Sequence, residues 1–197
     1  MLLLGFAGRK GVGKDTLAES IRRDGRFGSV RLIAFADDLK KTVGALFGLT
    51  HDQLHDPMAK ETVDPRYNVT PRVIMQRFGT DLMRKGVLHE AFPEMKGYSD
   101  PATFWVDSTR RKIDALRAED PSALVILTDV RFPDEAGMVT TKGGCVVYIS
   151  RGDSDSVVPE HVSEALKPQP SWKHIVNDGS VAEAVEEIYQ LYVRLTA

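Results

Sequence analysis

Leu2-Leu3-Leu4-Gly5-Phe6-Ala7-Gly8-Arg9-Lys10-Gly11-Val12-Gly13-Lys14-Asp15-Thr16 opens the chain with an apolar run, a glycine-rich turn and a lysine. Leu17 and Ile21 follow one helical turn apart. The order reads as a strand, a tight turn and the start of a helix. In such a turn, backbone N–H groups point at phosphate oxygens, the helix N-terminus adds partial positive charge, and the lysine reaches the outer phosphates. Gly8, Gly13 and Lys14 satisfy the spacing G-x-x-x-x-G-K. A nucleoside triphosphate such as ATP is therefore expected against Gly11, Val12, Gly13, Lys14, Asp15 and Thr16. A solvated surface turn is the competing reading, and the strand before and helix after disfavour it.

The position after the lysine usually carries a Ser or Thr whose hydroxyl binds Mg²⁺. Here it is Asp15, and Thr16 comes one later. A carboxylate also suits a hard cation. The expectation is Asp15 near the metal, directly or through water, with Thr16 donating to an inner phosphate.

With 197 residues the chain is long enough for one domain with a full core. Net charge is −2, so no bulk basic field is present to hold a polymeric nucleic acid. No apolar run approaches a membrane span. Leu2 to Ala7 is too short for a signal segment and has no basic leader. Cys145 is the only cysteine, inside an apolar run, which predicts a buried thiol and fits a reducing cytoplasm.

Strands are predicted at Leu2–Ala7, Val30–Ala36, Ala123–Val130, Gly144–Ser150 and His174–Asn177. Most are continuously apolar, which suits parallel strands covered on both faces. Helical patterns between them predict an α/β fold with right-handed crossovers. Thr70-Pro71 reads as N-cap and N1, opening a helix with Ile74, Phe78 and Leu82 at four-residue steps. Asp100-Pro101 reads as the start of another, carrying Trp105, Ile113 and Leu116. Ser180 and Glu183 form a capping box before a helix whose stripe is Val181, Val185, Ile188, Tyr192 and Leu195. The polar stretches His51–Val69 and Arg151–Ser171 read as mobile.

Several side chains then stand where chemistry is expected. Asp129 ends an apolar strand, the place from which a phosphate-loop enzyme holds Mg²⁺ or its water. The alternative is a strand-end cap. Arg131, two residues on, is able to meet a phosphate. Asp37 ends the second apolar run at the edge where open α/β sheets bind ligands, or it caps the next helix. Arg72, Gln76, Thr80 and Arg84 form one polar row on a helix, either a phosphate clamp or a solvated face. Arg151 directly follows the fourth strand and precedes a polar loop, as an arginine on a closing lid does. His161 and Glu164 are too few for a zinc site.

In this order the segments resemble the deoxynucleoside monophosphate kinases of tailed bacteriophages, within the P-loop nucleoside monophosphate kinase fold. The resemblance rests on Gly13-Lys14-Asp15-Thr16, Phe35-Ala36-Asp37-Asp38-Leu39-Lys40, Pro71-Arg72, and Gln76 with Gly79-Thr80 and Arg84. It continues through Phe104-Trp105, Asp129-Val130-Arg131-Phe132-Pro133-Asp134-Glu135, His161-Val162-Ser163-Glu164 and Asn177-Asp178-Gly179-Ser180. The family pattern often has Pro at the place of Asp38 and Asn at the place of Asp134.

What the resemblance implies is a single three-layer α/β/α domain with a five-stranded parallel sheet. Its core would be residues 1–36, 122–150 and 172–197, with a helical monophosphate-binding insertion at about 37–121 and a lid at about 151–171. Lys14, Arg131 and Arg151 would be catalytic, and Asp15 and Asp129 would hold Mg²⁺. Asp37, Lys40, Arg72, Gln76, Arg84, Trp105, Arg131 and Glu164 would face the deoxynucleoside monophosphate. The turn at Asn177 and Gly179 would lie against the adenine of ATP. A homodimer is one option for the assembly, and host cytoplasm the location if the source is a phage. The rival readings are a small-metabolite kinase of the same fold, akin to phosphomevalonate kinase, and a non-catalytic ATP-binding regulator.

Overall fold

A computed structural model of the chain describes residues 1–84, 90–95, 103–152 and 166–196. Its strands are β1 (Leu2–Ala7), β2 (Val30–Ile33), β3 (Leu124–Val130), β4 (Cys145–Ser150) and β5 (Lys173–Val176). All pair in parallel, in the order β2-β3-β1-β4-β5. The helices are α1 (Lys14–Arg23), α2 (Asp37–Phe47), α3 (His51–His55), α4 (Pro71–Gln76), α5 (Phe104–Glu119), α6 (Pro133–Thr141) and α7 (Val181–Thr196). The α/β class and the five-stranded parallel sheet expected from the apolar runs are both present. No helix of the described residues is long and apolar enough to cross a membrane.

Contacts divide the chain into two compact units. One is Met1–Ala34 with Thr109–Ala197, and the other is Phe35–Ser108. In the first unit, alternate residues of each strand serve opposite faces. Leu4 and Phe6 join Leu17, Ala18 and Ile21 of α1 and Ala184, Val185, Ile188 and Leu191 of α7 in one cluster. Each such fully buried Leu, Ile or Phe contributes about 1.5–3 kcal/mol. On the other face, Val139 of α6 packs directly over Gly5 of β1.

Strand ends differ from the sequence reading in one informative place. β2 was expected to run to Ala36, but its ladder with β3 stops at Ile33 opposite Leu127. Ala34–Ala36 turn away, and α2 begins at Asp37. In α7 the expected capping box is present, with Ser180 N–H donating to Glu183 Oε2 at 2.7 Å and Glu183 N–H to Ser180 Oγ at 3.2 Å. The expected stripe is too long, however. Val181 and Leu195 are exposed, and Ala184 and Leu191 take their places in the core.

In the second unit, the stretch His51–Val69 folds into defined structure. The buried Asp64 carboxylate organises it. Oδ1 accepts from the Arg66 backbone N–H at 3.0 Å and from Arg66 Nε at 2.9 Å. Oδ2 accepts from Arg66 Nη2 at 2.6 Å and from Gln53 Nε2 at 2.9 Å. The Asp64 amide donates to Val69 O across a single antiparallel bridge. Composition marked this segment as polar, and polarity here is spent on internal hydrogen bonds.

The Arg66 guanidinium holds the Asp64 carboxyl well below the usual carboxylate range. A lowered folded value means that the stabilisation is complete above the unfolded value of about 4 and is lost as acid drives pH toward the folded value. Asp64→Asn is expected to melt several degrees below the parent at pH 7. That gap should narrow steadily in thermal melts below about pH 4. A gap independent of pH would contradict the ionic role.

The row through Arg72, Gln76, Thr80 and Arg84 is not one continuous α-helical row. Thr70 caps α4 and Pro71 occupies its first turn, as expected. From Arg77 to Arg84 the backbone is π-helical. Its wider i→i+5 turn breaks the four-residue register, so only Arg72 and Gln76 stay aligned on α4. Leu82, expected in the core stripe, is exposed.

Candidate active site

β1 is the middle strand, flanked by β3 and β4. The carboxyl ends of parallel strands where the connections diverge form the ligand crevice of open α/β sheets. The glycine-rich turn leaves β1 at that point. Gly13 is the N-cap of α1 in a left-handed conformation, and no side chain caps this end. First-turn amides of a helix have no intrahelical acceptor, so they and the helix dipole form an anion site. Lys14 Nζ donates to the carbonyls of Gly8 and Arg9, 2.6 Å each. Its charge is thus held within the ring of the loop, while Asp15 and Thr16 are exposed on the first turn.

Two glycines shape the loop by what they lack. Gly8 has φ +131°, and a Cβ there would lie 2.1 Å from the Ile149 carbonyl oxygen. Gly13 has φ +93°, and a Cβ would lie 2.6 Å from Asn177 Nδ2. The loop is therefore pressed against β4 on one side and the turn after β5 on the other.

Arg131 follows β3 and Arg151 follows β4, so the strand order puts one arginine on each side of the loop strand. Asp129 is buried near the end of β3, one residue before the Ala7–Val130 pairing. Mg²⁺ typically takes one or two carboxylates plus phosphate oxygens and waters. Asp129 and Asp15 supply hard oxygen donors of that kind on the two elements that meet the loop. Among the described residues no group of three or more His, Cys, Asp or Glu side chains is arranged for a metal. The donor set thus fits a cation that arrives with phosphates, not a dedicated protein cage.

Asn177 was expected against an adenine. Its side chain is 6% exposed and donates from Nδ2 to Val12 O at 2.8 Å, beneath the loop. Gly179, in the same turn, is exposed.

Glu135 closes the Asp129–Glu135 segment. It is 3% exposed, and Oε2 accepts from the Arg131 amide at 2.7 Å and the Phe132 amide at 3.2 Å. Pro133 at N1 with Glu at N3 was the available signal, since N3 glutamates accept from amides just before a helix. Glu135→Ala leaves two amides without this acceptor and is expected to cost about 2 kcal/mol of stability. It should also lower turnover by loosening Arg131. Chemical denaturation and steady-state rates on the same preparation check both effects.

The second unit carries the other expected side chains. Asp37 and Lys40 lie on the first turn of α2. Asp38, on the same turn, accepts from Ser108 Oγ. Arg72 pairs with Glu61. Gln76 and Arg84 are half-buried on α4 and at the end of the π-helical segment. Trp105 is 6% exposed, and its indole N–H donates to Gly79 O at 3.0 Å. A cavity of about 450 Å³ is bounded by Phe47, Ile74, Phe78 and Leu82 with Arg77 and Asp81, and by none of the expected substrate residues. Glu164 lies outside the described residues, as do His161, Asp100-Pro101 and most of the expected lid.

Residues 46–188 match the family profile described as deoxynucleotide monophosphate kinase. A protein of Acanthamoeba polyphaga mimivirus, which carries the provisional name deoxynucleotide monophosphate kinase, is 33% identical over 193 residues. That alignment covers 95% of this chain and 94% of the relative.

Proposed function

Since the chain belongs to the deoxynucleotide monophosphate kinase family, we propose that it transfers the γ-phosphoryl group of ATP to the 5′-phosphate of a deoxynucleoside monophosphate. The products are ADP and a deoxynucleoside diphosphate, a precursor for phage DNA synthesis, in the host cytoplasm if the source is a phage. The observation that carries this reading is the loop with Lys14 between the strands that deliver Arg131 and Arg151. Two polyanions must be aligned in line while their repulsion is screened, and three cations from three strands meet that need.

An oxygen of the acceptor phosphate attacks the γ-phosphorus, and the bond between that phosphorus and the β–γ bridging oxygen breaks. A phosphate monoester is largely ionised near neutral pH, so no side chain must remove a proton. First-turn amides of α1 and Lys14 hold the donor phosphates, and Arg131 and Arg151 offset charge on the group in transit. Asp15 and Asp129 are the side chains that would hold Mg²⁺, which when bound screens the β- and γ-phosphates. Asp37, Lys40, Arg72, Gln76, Arg84, Trp105 and Glu164 are assigned to the acceptor.

The test is ADP release coupled to a spectroscopic readout, across all deoxy- and ribonucleoside monophosphates and an isoprenoid phosphate. Stimulation by one or more deoxynucleoside monophosphates is expected. Phosphorylation of the isoprenoid phosphate alone, or ATP hydrolysis that no acceptor stimulates, would overturn the assignment.

A further inference from the structure

The turn Asn177–Asp178 touches two parts of the site at once. Asn177 Nδ2 donates to Val12 O in the phosphate loop, and the Asn177 amide donates to Ser150 O at 2.8 Å. Ser150 is the last residue of β4 and directly precedes Arg151. The Asp178 carboxylate accepts from the backbone N–H of Gly152, the residue directly after Arg151. Arg151 is therefore bracketed. The carbonyl before it and the amide after it are both tied to a two-residue turn whose other contact is the loop. Gly152 has φ +49°, a backbone state that glycine adopts without cost, so this tie sets the direction in which the chain leaves Arg151.

We propose that Asp178 is a positioning residue for phosphoryl transfer. It fixes the backbone of Arg151 relative to the phosphate loop, with Asn177 as the link to the loop. Asp178 itself touches no reacting atom, and its effect passes through Arg151. The inference rests on the assignment of Arg151 to the transferred phosphoryl group.

Three properties separate this role from general support of the fold. The first is a kinetic split, in which Asp178→Ala lowers kcat about tenfold and leaves KM for the monophosphate within about twofold. Rescue by Asp178→Asn is the second, because an amide oxygen still accepts from Gly152 N–H. The third is non-additivity, with Asp178→Ala adding less than about twofold in an Arg151→Ala background.

The experiment measures the parent, the three single variants and the double variant in full-length form. In parallel, amide hydrogen exchange is followed at Gly152 with no nucleotide added. Faster exchange at Gly152 in Asp178→Ala, and not in Asp178→Asn, supports the tie whatever the acceptor proves to be. If the parent phosphorylates no deoxynucleoside monophosphate, the functional reading fails, and this exchange result still decides the structural claim. Parent-like turnover in Asp178→Ala would overturn the proposal. So would independent multiplication of the two losses, or unchanged exchange at Gly152.

Discussion

Lys14→Ala is expected to lower turnover by about two to three orders of magnitude, the usual cost of removing one preorganised electrostatic donor from a transferring group. The Lys14 ammonium lies 2.6 Å from both the Gly8 and Arg9 carbonyls, inside the loop proposed to receive the phosphates. A water molecule in its place supplies no net charge where two polyanions meet. The side chain is only partly buried, so the fold should survive its loss. Single-turnover transfer and a thermal melt on the same sample check both halves of the prediction. Turnover like the parent's would remove the loop from the mechanism.

Gly8→Ala should be the most damaging single change to the loop itself. An added methyl would sit 2.1 Å from the Ile149 carbonyl oxygen, and that oxygen belongs to a strand paired on both sides. Ile149 is unable to retreat without disturbing its ladder with β5, so the loop at Gly8 must shift instead. Strain at φ +131° adds to the overlap, and together they should exceed about 3 kcal/mol. Gly11→Ala is the matched control. Its φ is +83°, but nothing lies within 4 Å of the new methyl, so only backbone strain of about 1–2 kcal/mol applies. Denaturant midpoints and Mg·ATP titrations should rank parent, Gly11→Ala and Gly8→Ala in that order. Equal stability of the two alanine variants would mean that the contact with β4 is not as described.

Much of the glycine-rich loop was legible from residue order. An apolar strand, glycines at fixed spacing and a lysine at a helix start leave few conformations available, and the loop takes the expected one. Strands covered on both faces announced themselves as unbroken apolar runs. β2 was overread because Phe35 and Ala36 are apolar, yet pairing ends at Ile33 and Phe35 is buried outside any ladder. The π-helical turns were hidden because a four-residue apolar spacing reads as α-helix, and nothing in the residue order marks where the winding widens. What distinguishes them is tertiary: a Cβ on Gly79 would lie 2.7 Å from Leu39, and its carbonyl accepts from Trp105. The bond from Asn177 to Val12 O was not legible in the sequence, since a buried amide's partner is set by packing and not by its neighbours in sequence. His51–Val69 misled by composition, because polar residues that bond one another look the same on paper as solvated ones.

The position of β1 in the sheet has a consequence for how the chain is made. Leu2 pairs with Leu124 and Leu4 with Cys145, so the first strand synthesised finds its partners only after more than a hundred further residues have appeared. Phe35–Ser108, by contrast, is continuous in sequence and compact on its own contacts. On a ribosome the later segment is thus free to settle first, while the apolar residues of β1 wait for their partners. Such delayed pairing is where chaperones commonly act and where aggregation begins.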